Sequence, residues 1–132
     1  MKVLGFYSEL WPSVSEPSEG SIRAFVGDSP QPNEKDVAAY LRGGYTLFAS
    51  MGVADDVLGS GEGILGGSSL FTDGEWVWRG DLWFYVSNYH LRLPDEFTSK
   101  VRALGYAVPS VEQQRLAVLT DEIQALRAGK RK

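Results

Sequence analysis

The chain has 132 residues, 43% hydrophobic and 23% charged, which is typical of a soluble globular protein with its own core. Three of the 13 basic residues are Lys130, Arg131 and Lys132, so the rest of the chain carries 10 basic against 17 acidic side chains, a net charge of −7. This acidic body argues against DNA or RNA as a ligand, because phosphate contacts need clustered Lys and Arg. We interpret the three terminal cations as a solvated tail.

The absence of cysteine excludes disulfides, cysteine-ligated zinc and thiol catalysis. The first residues show no sustained apolar run and no cleavage site of a secretory signal. No stretch approaches the run of about 18 apolar residues that spans a membrane. We therefore expect a cytoplasmic protein without a membrane segment, folded as a single domain over residues 1–132.

The first third of the chain predicts one strand followed by turns. Residues 2–8 carry apolar side chains on both faces of an extended segment, which indicates a strand. Residues 9–31 are punctuated by proline and glycine and therefore predict turns. Within them, residues 21–26 fit either one or two helical turns or a short edge strand.

The next segment predicts a helix, a strand and a loop. Asn33 is a candidate N-cap of a helix that ends at Gly43. Residues 45–51 alternate between two faces, as a strand does. Residues 53–67 indicate a loop, in which residues 57–58 are the candidate for a short strand.

The clearest turn signal is the Asp-Gly pair at 73–74, which lies between two strand-like runs. Asp-Gly in this setting predicts a two-residue hairpin turn. That register pairs Phe71 with Trp76 and Leu70 with Val77. Apolar side chains then lie on both faces of the hairpin, so we expect both faces to be covered.

The segment after the hairpin predicts an apolar helix from Leu82 to His90. Asp81 is a candidate N-cap, since its carboxylate suits the positive end of a helix. One face carries a core-facing stripe, while Phe84 lies nearly opposite it and Trp83 on the flank. This helix is therefore either sandwiched inside the domain or offers its second face to a partner. The stripe consists of Leu82, Tyr85, Val86 and Tyr89.

Two further helices complete the pattern. Pro94 opens one that ends at Gly105, and residues 111–128 form the longest, with Ser110 and Gln113 as a capping box. Together the elements predict an α+β fold, in which an antiparallel sheet of about four strands carries packed helices and a long C-terminal helix follows.

Candidate sites for chemistry are few. Residues 61–66 match G-x-G-x-x-G, but the dinucleotide fingerprint needs a preceding strand and a following helix, so we interpret them as loop punctuation. His90 is the only histidine and cannot build a multi-histidine metal site, so we expect a structural role. We predict no catalytic residue, no cofactor and no metal.

The acidic residues Asp55, Asp56 and Glu62 cluster in the predicted loop. Loop oxygens can bind calcium, but the spacing does not resemble an EF-hand, which favours a solvated turn. Trp76, Trp78 and Trp83 are either core residues or an aromatic platform, since tryptophan is also favoured at binding hot spots.

Residues 72–97 resemble a pattern of small bacterial proteins, many of them actinobacterial and uncharacterised. The pattern is DG-x-W-x-W, D-L-x-x-Y-V and Y-x-x-x-L-P-x-x-F, and similar strings occur in proteins proposed as immunity proteins of polymorphic toxins. The resemblance implies a shared architecture more than a shared target. The matching residues are Asp73, Gly74, Trp76, Trp78, Asp81, Leu82, Tyr85, Val86, Tyr89, Leu93, Pro94 and Phe97.

The acidic body and the resemblance favour a non-enzymatic binding protein of the immunity type, which neutralises a toxin by occlusion and whose partner is a basic toxin domain. The alternative is a small-molecule binding or enzymatic domain that uses the Gly-rich loop 59–67. A toxin gene as neighbour would favour the first, and a metabolic operon the second. The predicted partner-binding residues are Trp83, Phe84, Asp55, Asp56 and Glu62.

Overall fold

The computed structural model describes residues 1–12, 14 and 19–128 and confirms the α+β class. The predicted terminal tail lies outside the described residues. None of the helices in the described ranges is long and apolar enough to cross a membrane. The helices are α1 (Glu34–Arg42), α2 (Leu82–Tyr89), α3 (Asp95–Ala103) and α4 (Gln113–Arg127), with a 3₁₀ helix at Ile22–Phe25. The strands are β1 (Lys2–Val3), β2 (Tyr45–Phe48), β3 (Val53–Asp55), β4 (Gly63–Leu65), β5 (Leu70–Thr72) and β6 (Trp76–Arg79).

The main sheet is mixed, with the strand order β1-β6-β5-β2. β5 pairs antiparallel with β2 and β6, but β1 runs parallel to β6, with Lys2 opposite Trp76. The predicted antiparallel sheet is therefore wrong for β1, because side-chain alternation carries no information on strand direction. β1 is also shorter than predicted, since Gly5 at φ +68° turns the chain.

A second sheet forms within residues 53–67, which the sequence predicts as a loop. β3 and β4 pair antiparallel as a hairpin, with Val53 opposite Leu65. The short strand expected at residues 57–58 is wrong, because these residues lie in the connection between the two strands.

The β5–β6 hairpin exists, but its register differs from the prediction by two residues. Phe71 lies opposite Trp78 and Thr72 opposite Val77. The cause is Asp73, whose Oδ1 accepts hydrogen bonds from the N–H groups of Glu75 (3.0 Å) and Trp76 (2.9 Å). The carboxylate thus organises a longer turn than an Asp-Gly pair needs. A shift of two residues leaves every side chain on its predicted face.

Both faces of the β5–β6 hairpin are covered, as predicted. Trp76 and Trp78 pack edge-on against Phe97 of α3, with ring centroids 5.6 and 6.0 Å apart. Tyr40 of α1 completes this aromatic cluster at 5.8 Å from Phe97. On the opposite face, Val77 is fully buried. Edge-to-face contacts of this kind stabilise beyond the area that they bury.

The ends of the helices follow the prediction less closely than their positions. Asn33 precedes α1 in the left-handed region and makes no side-chain cap. The predicted capping box at Ser110 and Gln113 is wrong, because α4 begins only at Gln113. Its N-cap residue is Glu112, whose side chain makes no capping hydrogen bond. Gly105 follows α3 at φ +64°, as a left-handed stop should. α4 buries Leu119 and Ile123 and contacts β2, so it packs against the sheet.

Asp81 precedes α2, as predicted, but its side chain does not cap the helix. The fully buried carboxylate instead accepts hydrogen bonds from Arg79, at 3.1 Å from Nε and 2.9 Å from Nη2. The Nη1 group of Arg79 donates to the carbonyl of Leu10 at 2.8 Å. Burial raises the pKa of Asp81, and the guanidinium opposes that shift. The role of Asp81 is therefore to neutralise Arg79, which ties the end of β6 to the N-terminal segment.

We expect Asp81→Asn to lower the free energy of unfolding by about 3 kcal/mol, because it leaves the guanidinium of Arg79 without its buried counter-charge. Urea denaturation measures the change. Asparagine caps a helix as well as aspartate does. A change in the unfolding free energy near zero would therefore contradict the ion-pair role of Asp81 and favour a capping role. Asp95→Asn at the exposed start of α3 is the control, with an expected loss below about 1 kcal/mol.

Candidate functional site

The β3–β4 hairpin and helix α2 form the candidate site, and they supply every predicted partner-binding residue. The hairpin turns Ala54 and Ile64 inward, and Ile64 is buried. The N–H of Val57 donates to the hydroxyl of Tyr85 at 3.0 Å, which fastens the connection between the strands to α2. Two segments far apart in sequence thereby become one surface.

The outward side of this hairpin is apolar and exposed. Val53 and Leu65 face each other across the strands and expose 62% and 76% of their surface. Met51, two residues before Val53, exposes 88%. We call these three residues the hairpin face. Sequence reasoning missed it, although Val53-Ala54-Asp55 and Gly63-Ile64-Leu65 alternate about a Gly-containing turn, which is a hairpin signal.

The three acidic residues of this segment divide into two kinds. Asp55 and Glu62 are exposed, and the described part of the structure gives their carboxylates no hydrogen bond or ion pair. Asp56 is buried and holds the connection between the strands together. Its carboxylate accepts from the N–H groups of Leu58 (2.8 Å) and Ser60 (3.1 Å) and from the hydroxyl of Tyr89.

The pKa of Asp56 reflects two opposing effects. Burial alone would raise the pKa of this carboxyl, but hydrogen bonds from Ser60, Tyr89 and Leu58 hold it below its ordinary value. Asp56 therefore stabilises the loop in its ionised form. The role of partner contact predicted for it requires an accessible carboxylate, which this burial does not provide.

The two predicted aromatic anchors also differ. Phe84 exposes only 9% of its surface and packs edge-on against Trp83, Tyr85 and Tyr89. The sandwiched alternative thus holds for Phe84, which is buried although it lies on the second apolar side of α2. Trp83 stays half-buried, with the guanidinium of Arg42 4.3 Å from its ring centroid.

Two shallow depressions border the hairpin and α2, and residues of α1 and β5 also line the first of them. In one, Leu65 and Gly66 face Trp83 and Arg42. In the other, Ser60 and Glu62 face Phe84 and Asn88, with Tyr89 beside them. The structure thus brings Trp83 together with Leu65 of the hairpin face, and Phe84 together with Glu62.

The Gly-rich stretch has a packing explanation. A Cβ on Gly63 would lie 2.5 Å from Cγ1 of Val53, and a Cβ on Gly80 would lie 2.5 Å from the carbonyl oxygen of Gly66. These approaches let the two strands close and let the hairpin meet the end of β6. The chain then enters β5, not the helix that a dinucleotide fingerprint requires.

His90 lies at the end of α2, where its Nδ1 is 3.0 Å from Oε2 of Glu34 in α1. This contact joins two helices, which agrees with the predicted structural role. Among the described residues, no group of three or more His, Asp or Glu side chains is arranged to hold a metal ion.

Comparisons with known proteins add no relative. No protein-family model matches the chain, and neither a curated protein nor a solved structure matches it. The resemblance to immunity proteins stays a prediction from the pattern in residues 72–97.

We expect the stability that Asp56 confers to depend on pH. A carboxyl whose pKa is lowered by folding stabilises the folded state above its unfolded pKa, about 3.9, and this contribution is lost as the pH falls through the folded value. The difference in unfolding free energy between the wild type and Asp56→Asn should therefore shrink on acidification below about pH 4. Urea titrations over a pH series measure it.

The matched control for this experiment is Asp55→Asn, which removes the neighbouring exposed carboxylate. It should change the free energy of unfolding by less than about 0.5 kcal/mol throughout the series. A wild-type advantage over Asp56→Asn that stays constant down to acid pH would contradict the role of the ionised carboxylate.

Proposed function

We propose that this protein is a non-enzymatic binding protein of the immunity type, which neutralises a basic toxin domain by covering its functional surface. The observation that carries the proposal is the hairpin face: Val53 and Leu65 lie opposite each other and exposed on the β3–β4 hairpin, and Met51 is exposed just before it. Apolar side chains concentrated in this way are a feature of surfaces that bind other proteins.

The surroundings of the hairpin face support a basic partner. Asp55 shares the outward side of β3 with Val53, and Glu62 lies just before β4. An apolar centre with a charged rim is the usual anatomy of a protein interface. Exposed carboxylates without internal partners attract a cationic surface and disfavour an anionic one. The acidic excess of the chain acts in the same direction.

Several carboxylates that an enzymatic function would draw on already have structural partners. Asp81 is paired with Arg79, and Glu34 is in contact with His90. Asp73 accepts from Lys100 at 3.0 Å and is fully buried. The alternative function depends on the Gly-rich loop 59–67. These residues instead form strand β4 and the segments on either side of it. These contacts favour binding over catalysis.

The apolar anchor of the proposed interface is the hairpin face, since Phe84 is buried. We expect Val53→Ser or Leu65→Ser to weaken binding of the proposed toxin partner by about 2 kcal/mol, because each removes a central apolar contact. Both side chains are exposed, so the melting temperature should change little. Isothermal titration calorimetry measures the affinity. Val118→Ser, at a 44% exposed valine on α4, is the control and should bind as the wild type does.

Co-expression tests the function itself. Cells that express the proposed toxin partner should survive with the wild type and lose protection with a variant that carries both Val53→Ser and Leu65→Ser. Asp55→Asn and Glu62→Gln should slow association and reduce its salt dependence, with smaller effects on dissociation. Death of cells that contain abundant, folded wild-type protein would sink the immunity function.

A further inference from the structure

The outer edge of β4 presents backbone groups that none of the strands in the described ranges uses. The N–H of Asp56 donates to the carbonyl of Glu62, and the N–H of Gly66 donates to that of Gly52. Hydrogen-bonded and non-bonded pairs alternate in an antiparallel ladder, so the N–H and C=O groups of Gly63 and Leu65 point away from β3. None of the hydrogen bonds among the described residues involves the N–H of either residue.

This edge is bordered by the flank of helix α2. The two depressions described above lie at the two ends of β4, one at Leu65 and Trp83 and the other at Glu62 and Phe84. We call these two separate depressions, together with the part of β4 that lies between them, the β4–α2 groove. β3 has equivalent backbone groups at Val53 and Asp55, but neither residue lines a depression. Leu65 of β4 lines the first depression, and Glu62, the neighbour of Gly63, lines the second.

The two ends of the groove carry opposite charges. Glu62 lies at the start of β4, and Arg42 lies beside Trp83 near the end of the strand. Both side chains are exposed, and the ion pairs of the described residues include neither of them. A bound segment with one basic and one acidic end would therefore be held in a single direction.

We propose that the partner inserts an extended segment into the β4–α2 groove, where it adds a strand to β4. Its backbone pairs with Gly63 and Leu65, and an apolar side chain covers Trp83. A Lys or Arg of the segment meets Glu62, and an Asp or Glu meets Arg42. Backbone pairing supplies affinity in such strand addition, and the alternate side chains supply specificity. The inference rests on the protein-binding function proposed above and names its mode of recognition.

A peptide selection tests the groove without knowledge of the natural partner. Random peptides long enough for one strand are displayed and selected on the immobilised full chain. We expect a consensus with alternating apolar residues, a basic residue at one end and an acidic residue at the other. Absence of any selected peptide, or a consensus without this charge order, would overturn the proposal.

Amide hydrogen exchange then locates the selected peptide. The N–H groups of Gly63 and Leu65 should exchange at least about tenfold more slowly in the complex, while those of Val53 and Asp55 should keep their rates within about twofold. Equal protection of both edges, or protection of β3 alone, would exclude strand addition at β4. This measurement needs no substitution, so it does not depend on whether a variant folds.

Proline substitution separates the backbone contact from the side-chain contact. Leu65→Pro should bind the selected peptide roughly tenfold more weakly than Leu65→Ala, because proline lacks the N–H that pairs with the added strand. Val53→Pro on the other edge should match Val53→Ala within about twofold. Equal affinities of Leu65→Pro and Leu65→Ala would contradict the proposal.

The outcome of this test is distinct from that of the proposed function. A selected peptide that protects Gly63 and Leu65 supports the groove even where co-expression gives no protection from the toxin. Protection from the toxin by a chain that selects no peptide supports the function and rejects this mode of recognition.

Discussion

The structure depends on one buried carboxylate, that of Asp73 at the turn between β5 and β6. It accepts four hydrogen bonds, from two backbone N–H groups of its own turn, from the hydroxyl of Tyr40 at 2.7 Å and from the ammonium of Lys100 at 3.0 Å. Tyr40 belongs to α1 and Lys100 to α3, so a single side chain joins the hairpin to two helices. A buried charge is tolerated only when hydrogen bonds satisfy it. Because the donors to Asp73 come from the turn, α1 and α3, this requirement holds the turn and both helices together.

The same contacts orient the aromatic cluster beneath the hairpin. With Asp73 in place, Tyr40 and Phe97 meet the face of the sheet that carries Trp76 and Trp78. The indole N–H of Trp78 donates to the carbonyl of Leu41 at 2.9 Å, which fixes α1 a second time. The polar network and the apolar cluster thus specify one arrangement of α1 and α3. Helix α2 follows directly from β6, so its position is also set.

Local signals in the sequence predicted the helices because they depend on neighbours in the chain. Pro94 and Gly105 bracket α3, and the stripe of α2 is buried at Leu82, Tyr85 and Val86. What failed depends on contacts across the fold. The direction of β1 is set by the strand beside it, and the partner of Asp81 is set by the burial of Arg79. Composition near a helix start cannot distinguish a cap from an ion pair.

The same division between local sequence signals and contacts across the fold applies to the candidate site. Asp55 and Glu62 have exposed carboxylates, as the acidic composition of this segment predicts. The hairpin face was missed because two strands of three residues, separated by glycines, give too short an alternation to stand out. The sequence leaves two alternatives for Phe84, burial inside the domain or contact with a partner, since a helical projection shows which side is apolar but not what packs on it.

In the binding function proposed above, the charged and the apolar parts of this surface act at different stages. Charges are felt over about 8 Å at physiological salt, so Asp55 and Glu62 would influence the proposed partner before contact. The hairpin face contributes only after water is excluded, and its burial then slows dissociation. Asp56 contributes to neither stage, although it is a carboxylate of the same segment. Its charge is satisfied by hydrogen bonds from Leu58, Ser60 and Tyr89. The count of carboxylates therefore overstates the attraction that this surface can exert, and the arrangement of hydrogen bonds decides which charges face a partner.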